Sequence, residues 1–369
     1  MIPEAIQALL HQLQAAGFEA YLVGGCVRDT LLGRPIHDWD LTTSARPEQV
    51  MGLFPHCAAT GLKHGTVTVL HQGYAAEVTT YRADGVYING RRPETVQFIS
   101  SLSEDLRRRD FTVNAMAMDS AGKLVDPYGG QADLDAGLIR CVGRPEARFQ
   151  EDALRMLRGI RFSAQMGFAI EDSTLSAMER CAPLCRSLSA ERIRDEIEKT
   201  LLSDRPELVQ AMVELGMLKG VGVEAAGSLL ALRKTTPDRL ARWAQLRRLV
   251  PQLDLSKLRL DNRSIRTCNL AAGLYADELS ALQMKRLIAY TGWEVACCVA
   301  KMNGQLPLTE AIASSNDCVT LSQLAVKGDM LSAVEAKQVG RTLYRMLDYV
   351  LDHPDQNDAQ TLLRLDWLK

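Results

Sequence analysis

The chain has 369 residues, of which 47% are hydrophobic and 24% charged, so it is too long for one ordinary core and too apolar for a disordered chain. No run of about 18 apolar residues occurs, which argues against a helical membrane span. The net charge of −2 argues, taken alone, against a nucleic-acid partner. The opening MIPEAIQALLHQLQAAGF reads as an amphipathic helix, not a signal peptide. Nine cysteines without a CxxC pair favour reduced thiols in a cytoplasmic protein. Cys181 with Cys185, and Cys297 with Cys298, lack a second ligand pair at zinc spacing.

In chain order, YLVGG is a short apolar strand that ends in a Gly-Gly turn. CVRDTLL follows as a helix, closed by Gly33 and Pro35. HGTVTVLH and AAEVTTY alternate with period two and are read as strands, and FTVNAMAMD with KLVDPYGG completes a strand-rich set. Residues 1–137 are thus expected to form a mixed α/β domain with one sheet. The β signal then fades. EDALRMLRGIRFSAQM, SAERIRDEIEKTLL, ELVQAMVELGML, SLLALRKT and PDRLARWAQLRRLV are all read as helices. Short Gly/Pro breaks suggest boundaries near 138, 202 and 270, giving segments 138–201, 202–269 and 270–369. The class is α+β. Charge is unevenly spread: from Gly227 to Tyr290, 12 Lys or Arg stand against 5 Asp or Glu, which leaves the remainder acidic.

Gly24 and Gly25 lie between a strand and a helix, where glycine permits positive φ and lets a backbone approach a phosphate. The helix start attracts an anion, and Arg28 on the first turn can donate to phosphate oxygens. A tight βα connection would use the same two glycines. The next stretch, LGRPIHDWD, holds two overlapping suggestions. An HD dipeptide at His37-Asp38 needs further histidines and a helix, but only six histidines exist and Pro35 disfavours a helix here. His37 is therefore read as structural or solvent-facing. Asp38 and Asp40 on a strand would instead point to one face, and such carboxylates suit Mg²⁺. Glu77, in AAEVTTYR, is the candidate third carboxylate. Exposed acids on an edge strand are the plainer alternative.

In EDALRMLRGIRF, Ala153, Leu157, Ile160 and Ala164 form an apolar stripe, while Asp152, Arg155, Arg158 and Arg161 recur at three-residue spacing beside it. Surface ion pairs would explain that pattern. A sharper reading is base recognition. Asp accepts and Arg donates, which matches the amino group and ring nitrogen of cytosine and adenine and rejects uracil and guanine. Arg158 and Arg161 could serve the base or a triphosphate.

YLVGGCVRDTLLGRPIHDWDLTTSA, LKHGTVTVL, EVTTYRADGVYINGRRPETVQF, EDLRRRDFTVNAMAMD, VDPYGG, RFQEDALRMLRGIRF and ERIRDEIEK resemble, in order, the motifs of bacterial class II tRNA nucleotidyltransferases. This is the CCA-adding family within the DNA polymerase β-like nucleotidyltransferases, and the resemblance covers about residues 18–200. It implies a seahorse shape, with a nucleotidyltransferase head at 1–137, a neck at 138–201 that selects the nucleotide, and a body at 202–269 and tail at 270–369 that bind tRNA. It implies that Asp38 and Asp40 bind catalytic Mg²⁺, that Gly25 and Arg28 meet the triphosphate, and that Arg109 and Asp110 contact the nucleotide and its ribose. Asp152, Arg155, Arg158 and Arg161 match the nucleotide-selecting motif, braced by Arg192 and Glu196. Asp84 with Arg91 or Arg92 fits a loop used in switching from C to A. Trp39 departs from the usual small or aliphatic residue and should face away from the acids. The implied activity is addition of C, C and A to tRNA from CTP and ATP. Alternatives are CC-only, A-only or poly(A) addition, and, in a different class, a catalytically inactive RNA-binding protein. Monomer and homodimer both stay open.

Overall fold

The computed structural model describes residues 2–84, 96–332, 334–365 and 367. The chain forms two compact units, Met1–Thr200 with Ala211–Gly220, and Leu201–Gln210 with Val221–Lys369.

The first unit is built on a seven-stranded mixed sheet. Its strands are β1 (Ala20–Val23), β2 (Trp39–Thr43), β3 (Cys57–Gly61), β4 (Thr66–His71) and β5 (Tyr74–Thr80), with β8 (Ala117–Met118) and β9 (Leu124–Val125) further along the chain. The order is β3-β4-β5-β2-β1-β8-β9. Only β2 and β5 run parallel, and the other neighbours are antiparallel. β6 (Arg82–Asp84) pairs with β7 (Val96–Phe98), and β10 (Leu138–Ile139) with β11 (Ala169–Ile170), as two small separate ladders. The segment expected to carry the C-to-A switch, with Arg91 and Arg92, lies outside the described residues.

Helices α1 (Glu4–Ala15), α2 (Gly25–Leu31), α3 (Pro47–Leu53), α4 (Leu102–Arg107) and α5 (Gly130–Asp135) accompany the sheet. α1 buries Ala5, Ile6, Leu9, Leu10 and Leu13, the stripe that its apolar spacing implied. Val23 and Ala117 of the sheet and Leu106 of α4 form one core cluster. α6 (Pro145–Glu151), α7 (Leu154–Met166), α8 (Asp172–Cys181), α9 (Ala190–Leu201) and α10 (Val209–Glu214) follow.

Two expectations change in detail in this unit. The FTVNA stretch is a short 3₁₀ turn at Thr112–Asn114, and only Ala117–Met118 of that segment pairs as a strand. The helix read from Glu151 onward is broken at Asp152, whose φ of −144° and ψ of 104° separate α6 from α7. Asp152 accepts a hydrogen bond from Leu154 N–H, the local side-chain bond by which Asp competes with a continuous helix.

The second unit is helical, with α11 (Arg239–Leu249), α12 (Asn262–Gly273), α13 (Ala281–Thr291), α14 (Trp293–Asn303), α15 (Leu306–Ser314), α16 (Ala336–Asp352) and α17 (Ala359–Arg364). SLLALRKT forms a 3₁₀ turn at Leu230–Lys234, not a full helix. One core cluster gathers Met284, Ile288, Ala296, Ala300 and Ile312, and another gathers Leu324, Val326, Met346, Leu347 and Val350. No helix among the described residues is long and apolar enough to cross a membrane. All nine cysteines are free.

Candidate active site

β1 ends at Val23, and the next residue, Gly24, has φ 72° and ψ −133°. That backbone is strained for any residue with a Cβ. A Cβ at Gly24 would also sit 3.0 Å from Arg109 Nη1 and 3.8 Å from Asp40 Oδ2. One backbone turn, one carboxylate and one guanidinium therefore meet within contact distance.

Asp40 lies on β2, and its parallel partner on β5 is Glu77. Partners in register project to the same face of a sheet, so the two carboxylates share one side. The strand begins at Trp39, so Asp38 stands just before it and is exposed, as is His37. The expected same-strand pair of Asp38 and Asp40 is thus an exposed acid beside the strand and a half-buried acid on it. The reason is the ladder itself: its first rung joins Trp39 to Ala76, and no rung among the described residues pairs Asp38. Trp39 is buried, on the opposite face from Asp40. Burial pushes the Asp40 carboxyl up to about 6; Arg109 opposes this, while Glu77 and Asp38 add to it. Among the described residues, no group of three or more His, Cys, Asp or Glu side chains is placed to hold a metal ion by itself.

Arg109 is held from behind. Its Nη2 donates to Asp105 Oδ2 at 3.3 Å, and its Nε is buried without a hydrogen-bond partner among the described residues. Asp105 is fully buried. It also accepts from Arg108 Nε and Nη2 at 3.0 and 2.9 Å, from Arg82 N–H at 3.3 Å and from the Thr42 hydroxyl at 3.4 Å. Burial opposes its ionisation, but Arg109 and Arg108 outweigh it and hold this carboxyl below the usual range. One carboxylate therefore ties α4 to the strand that carries Asp40 and to the start of β6.

The remaining candidates gather around α7. Asp110 is buried and accepts from Arg158 Nε at 2.7 Å and from Asn114 Nδ2 at 3.3 Å. Burial alone would raise its pKa, yet Arg158 holds it far below the carboxylate range. Arg28 donates to both oxygens of Asp29, at 3.0 and 2.8 Å, and to Asn114 Oδ1 at 2.8 Å. Arg161 donates to Glu196 at 2.6 Å, and Arg192 donates to Asp152 Oδ2 at 2.7 Å. These two contacts let α9 brace the start and middle of α7. Arg155 is buried and spends donors on Glu151 at 2.7 Å, on the Arg108 carbonyl at 2.9 Å and on the Arg148 carbonyl at 3.3 Å. Arg158 is the most exposed of the three α7 arginines, with about a third of its side chain accessible (34%).

Gly24, Asp40, Glu77 and Arg109 therefore come together at the sheet, while Arg28, Asp110, Arg158 and Arg161 form a second cluster. Gly25 joins the latter, since a Cβ there would lie 3.7 Å from Arg28 Nη2. Asp152 and Arg155 sit at the α6–α7 break. Asp105, Asn114 and Phe162 were missed by sequence reasoning. Asp105 precedes Arg108 and Arg109 by three and four residues on a helix, a spacing that signals a pair but not its burial.

A mixed sheet with this turn, this carboxylate strand and this guanidinium cluster is the head of a nucleotidyltransferase. A family model described as "Poly A polymerase head domain" matches residues 20–140, and one described as "Probable RNA and SrmB- binding site of polymerase A" matches residues 167–224. The CCA-adding enzyme of Geobacillus thermodenitrificans is 51% identical over 220 residues, 59% of this chain and 54% of that relative. The CCA-adding enzyme of Lactiplantibacillus plantarum is 48% identical over 203 residues, 55% of this chain and 50% of the relative. These matches span about half the length of the curated relatives. The crystal structure of the Bacillus stearothermophilus CCA-adding enzyme in complex with CTP superposes with a TM-score of 0.84 at 32% identity, covering 99% of this chain and 98% of that one. The chain belongs to the CCA-adding enzyme family.

Proposed function

We propose that this protein adds C, C and A to the 3′ end of tRNA, using CTP and ATP and releasing pyrophosphate. The observation that carries the reading is the meeting of Gly24, the in-register Asp40 and Glu77, and Arg109, whose buried Nε has no partner among the described residues. A buried cationic N–H without a partner calls for an acceptor, and a triphosphate oxygen supplies one. The Gly24 backbone leaves room for it, since any Cβ there would crowd Arg109.

The donor set fits Mg²⁺. It consists of carboxylate oxygens from Asp38, Asp40 and Glu77, and the repulsion by which Glu77 and Asp38 add to the raised pKa of Asp40 is one that a bound cation relieves. A closed protein cage is not needed, because Mg²⁺ keeps waters and takes up substrate phosphates. Bound there, the ion supplies activation of the 3′-hydroxyl and neutralisation of charge on the phosphates. Arg28 and Arg109 bind and orient the triphosphate. Asp110 keeps Arg158 charged and in place beside them. Asp152 accepts from the amino group shared by cytosine and adenine, and Arg155 donates to the neighbouring ring nitrogen. The contacts of Arg155 and Asp152 with Glu151, Arg108, Arg148 and Arg192 keep this pair rigid, which selection by hydrogen-bond pattern requires. The head, neck, body and tail divisions at 1–137, 138–201, 202–269 and 270–369 belong to the same reading, with tRNA on the helical part.

The test is product analysis on tRNA transcripts that lack CCA, with labelled CTP and ATP. Ordered addition of two C and one A is expected; addition of A alone, or of a long A tract, would overturn the reading. In the same assay Asp40→Ala loses both C and A incorporation while circular dichroism stays native-like and Tm does not fall. Incorporation at the unmodified rate would remove Asp40 from the reaction.

A further inference from the structure

Phe162 lies on α7 and is buried. Three guanidinium carbons surround its ring: Arg161 Cζ at 4.1 Å from the centroid, Arg158 Cζ at 5.2 Å and Arg28 Cζ at 5.4 Å. Arg158 and Arg161 stand one turn apart on the same helix, whereas Arg28 comes from α2. Each cation has its own acceptor: Asp29 and Asn114 for Arg28, Asp110 for Arg158, and Glu196 for Arg161. Phe111 meets the ring edge-on, at 5.9 Å and 82°, and fixes its tilt.

Like charges gathered this closely repel, and acceptor pairing alone does not explain why all three converge on one side chain. An aromatic ring attracts cations through its quadrupole at distances up to about 6 Å, which an aliphatic side chain of similar volume cannot do. A second tie runs beside the ring. Arg28 donates to Asn114, Asn114 donates to Asp110, and Arg158 donates to Asp110. The cation on α2 is therefore linked to those on α7 twice, once through this polar chain and once through the ring.

We propose that Phe162 is a positioning residue whose ring holds Arg28 in fixed relation to Arg158 and Arg161, so that the triphosphate-binding cation and the nucleotide-selecting helix act as one body. The inference rests on the reading that Arg28 meets the triphosphate. A triphosphate is common to CTP and ATP, so the effect should be indifferent to the base.

The experiment replaces Phe162 with mono-, di-, tri- and pentafluorophenylalanine, which nearly keep the ring's shape while stepwise weakening and finally reversing its quadrupole, and with leucine. Single additions of C and of A are followed on tRNA transcripts of the two required lengths. KM for CTP and for ATP is expected to rise in parallel along the series, reaching about tenfold in Phe162→Leu, with kcat near the unmodified value throughout and Tm near it in the fluorinated variants. A flat series overturns the proposal. So does a fall in kcat at unchanged KM, which is the mark of an interaction made only in the transition state, and so does an effect on one nucleotide only. Arg28→Ala separates the two layers. If it raises both KM values while the ring series stays flat, the positioning role alone fails; if it leaves both unchanged, the reading of Arg28 fails and the inference with it.

Discussion

Asp40 sits between opposing demands. Burial and the nearby Glu77 and Asp38 raise its carboxyl to about 6, although Arg109 favours the ionised form. A carboxyl whose folded-state pKa is raised stabilises the fold fully below its unfolded value of about 3.8 and loses that contribution as pH climbs through about 6. Asp40→Asn should therefore stabilise the metal-free protein at pH 8, by at most about 3 kcal/mol from a shift of about two pH units, and change little at pH 4. Urea denaturation in the presence of a chelator at the two pH values measures this. An equal effect at both would mean that the charge is not crowded. Asp152 is set for the opposite use, since its two oxygens are already engaged by Leu154 N–H and Arg192. A carboxylate held that firmly can discriminate. Asp152→Ala should raise misincorporation of UTP relative to CTP by about tenfold to a hundredfold, the size expected for one lost hydrogen-bond pattern. Competition between the two nucleotides at a single addition step reads it, and unchanged selectivity would take Asp152 out of base recognition.

Helix α7 is where the site and the fold meet, and Gly159 shows how closely it packs. A Cβ on Gly159 would lie 2.4 Å from Met178 Cε and 2.9 Å from Phe111 Cζ, and Phe111 is fully buried. Gly52 in α3 has nothing within 4 Å of the same hypothetical atom. Both are helical glycines that alanine should improve through backbone entropy. Gly52→Ala is accordingly expected to stabilise by about 0.5–1 kcal/mol, whereas Gly159→Ala should destabilise by about 1–3 kcal/mol through overpacking. Thermal or urea midpoints of the two variants check the contrast, and the same sign for both would refute it. Such asymmetries mark what the sequence makes legible. The strand–turn–helix around Gly24 and the α1 stripe are written in neighbouring residues, so pattern alone finds them. The pairing of Asp40 with Glu77 depends on a parallel rung between residues far apart in the chain, and no local period encodes it. The break at Asp152 was hidden because the apolar spacing continues through it, while the side-chain bond to Leu154 N–H is what interrupts the helix. Asp105 and Phe162 were missed for a related reason. An acid before two arginines and a phenylalanine after one are ordinary on a helix until burial places them at the centre of a cation cluster.

At the scale of the whole molecule, the net charge of −2 conceals a basic segment in the second unit. Several of its cations are already engaged internally: Arg233 with Glu207, Arg263 with Glu294, Lys285 with Asp317, and Arg286 with Asp348 and Asp352. Such groups have less to gain from phosphate, because binding must first release an existing partner. Lys257 and Arg266 are exposed and stand in no ion pair among the described residues. If tRNA lies on this unit, these two should account for part of the counterion release, and Arg263 for less. Lys257→Ala and Arg266→Ala are each expected to weaken tRNA binding and to reduce the slope of log affinity against log salt by about 1. Arg263→Ala should move the slope by well under that amount. Binding measured by filter retention or fluorescence anisotropy across a salt series supplies the slopes, and single additions at saturating tRNA should keep their kcat, since none of the three lies near Asp40 in the chain or in its unit. Slopes unchanged in Lys257→Ala and Arg266→Ala would place the tRNA backbone elsewhere. A larger loss in Arg263→Ala than in either would show that ion pairs within the protein do not decide which cations the nucleic acid recruits.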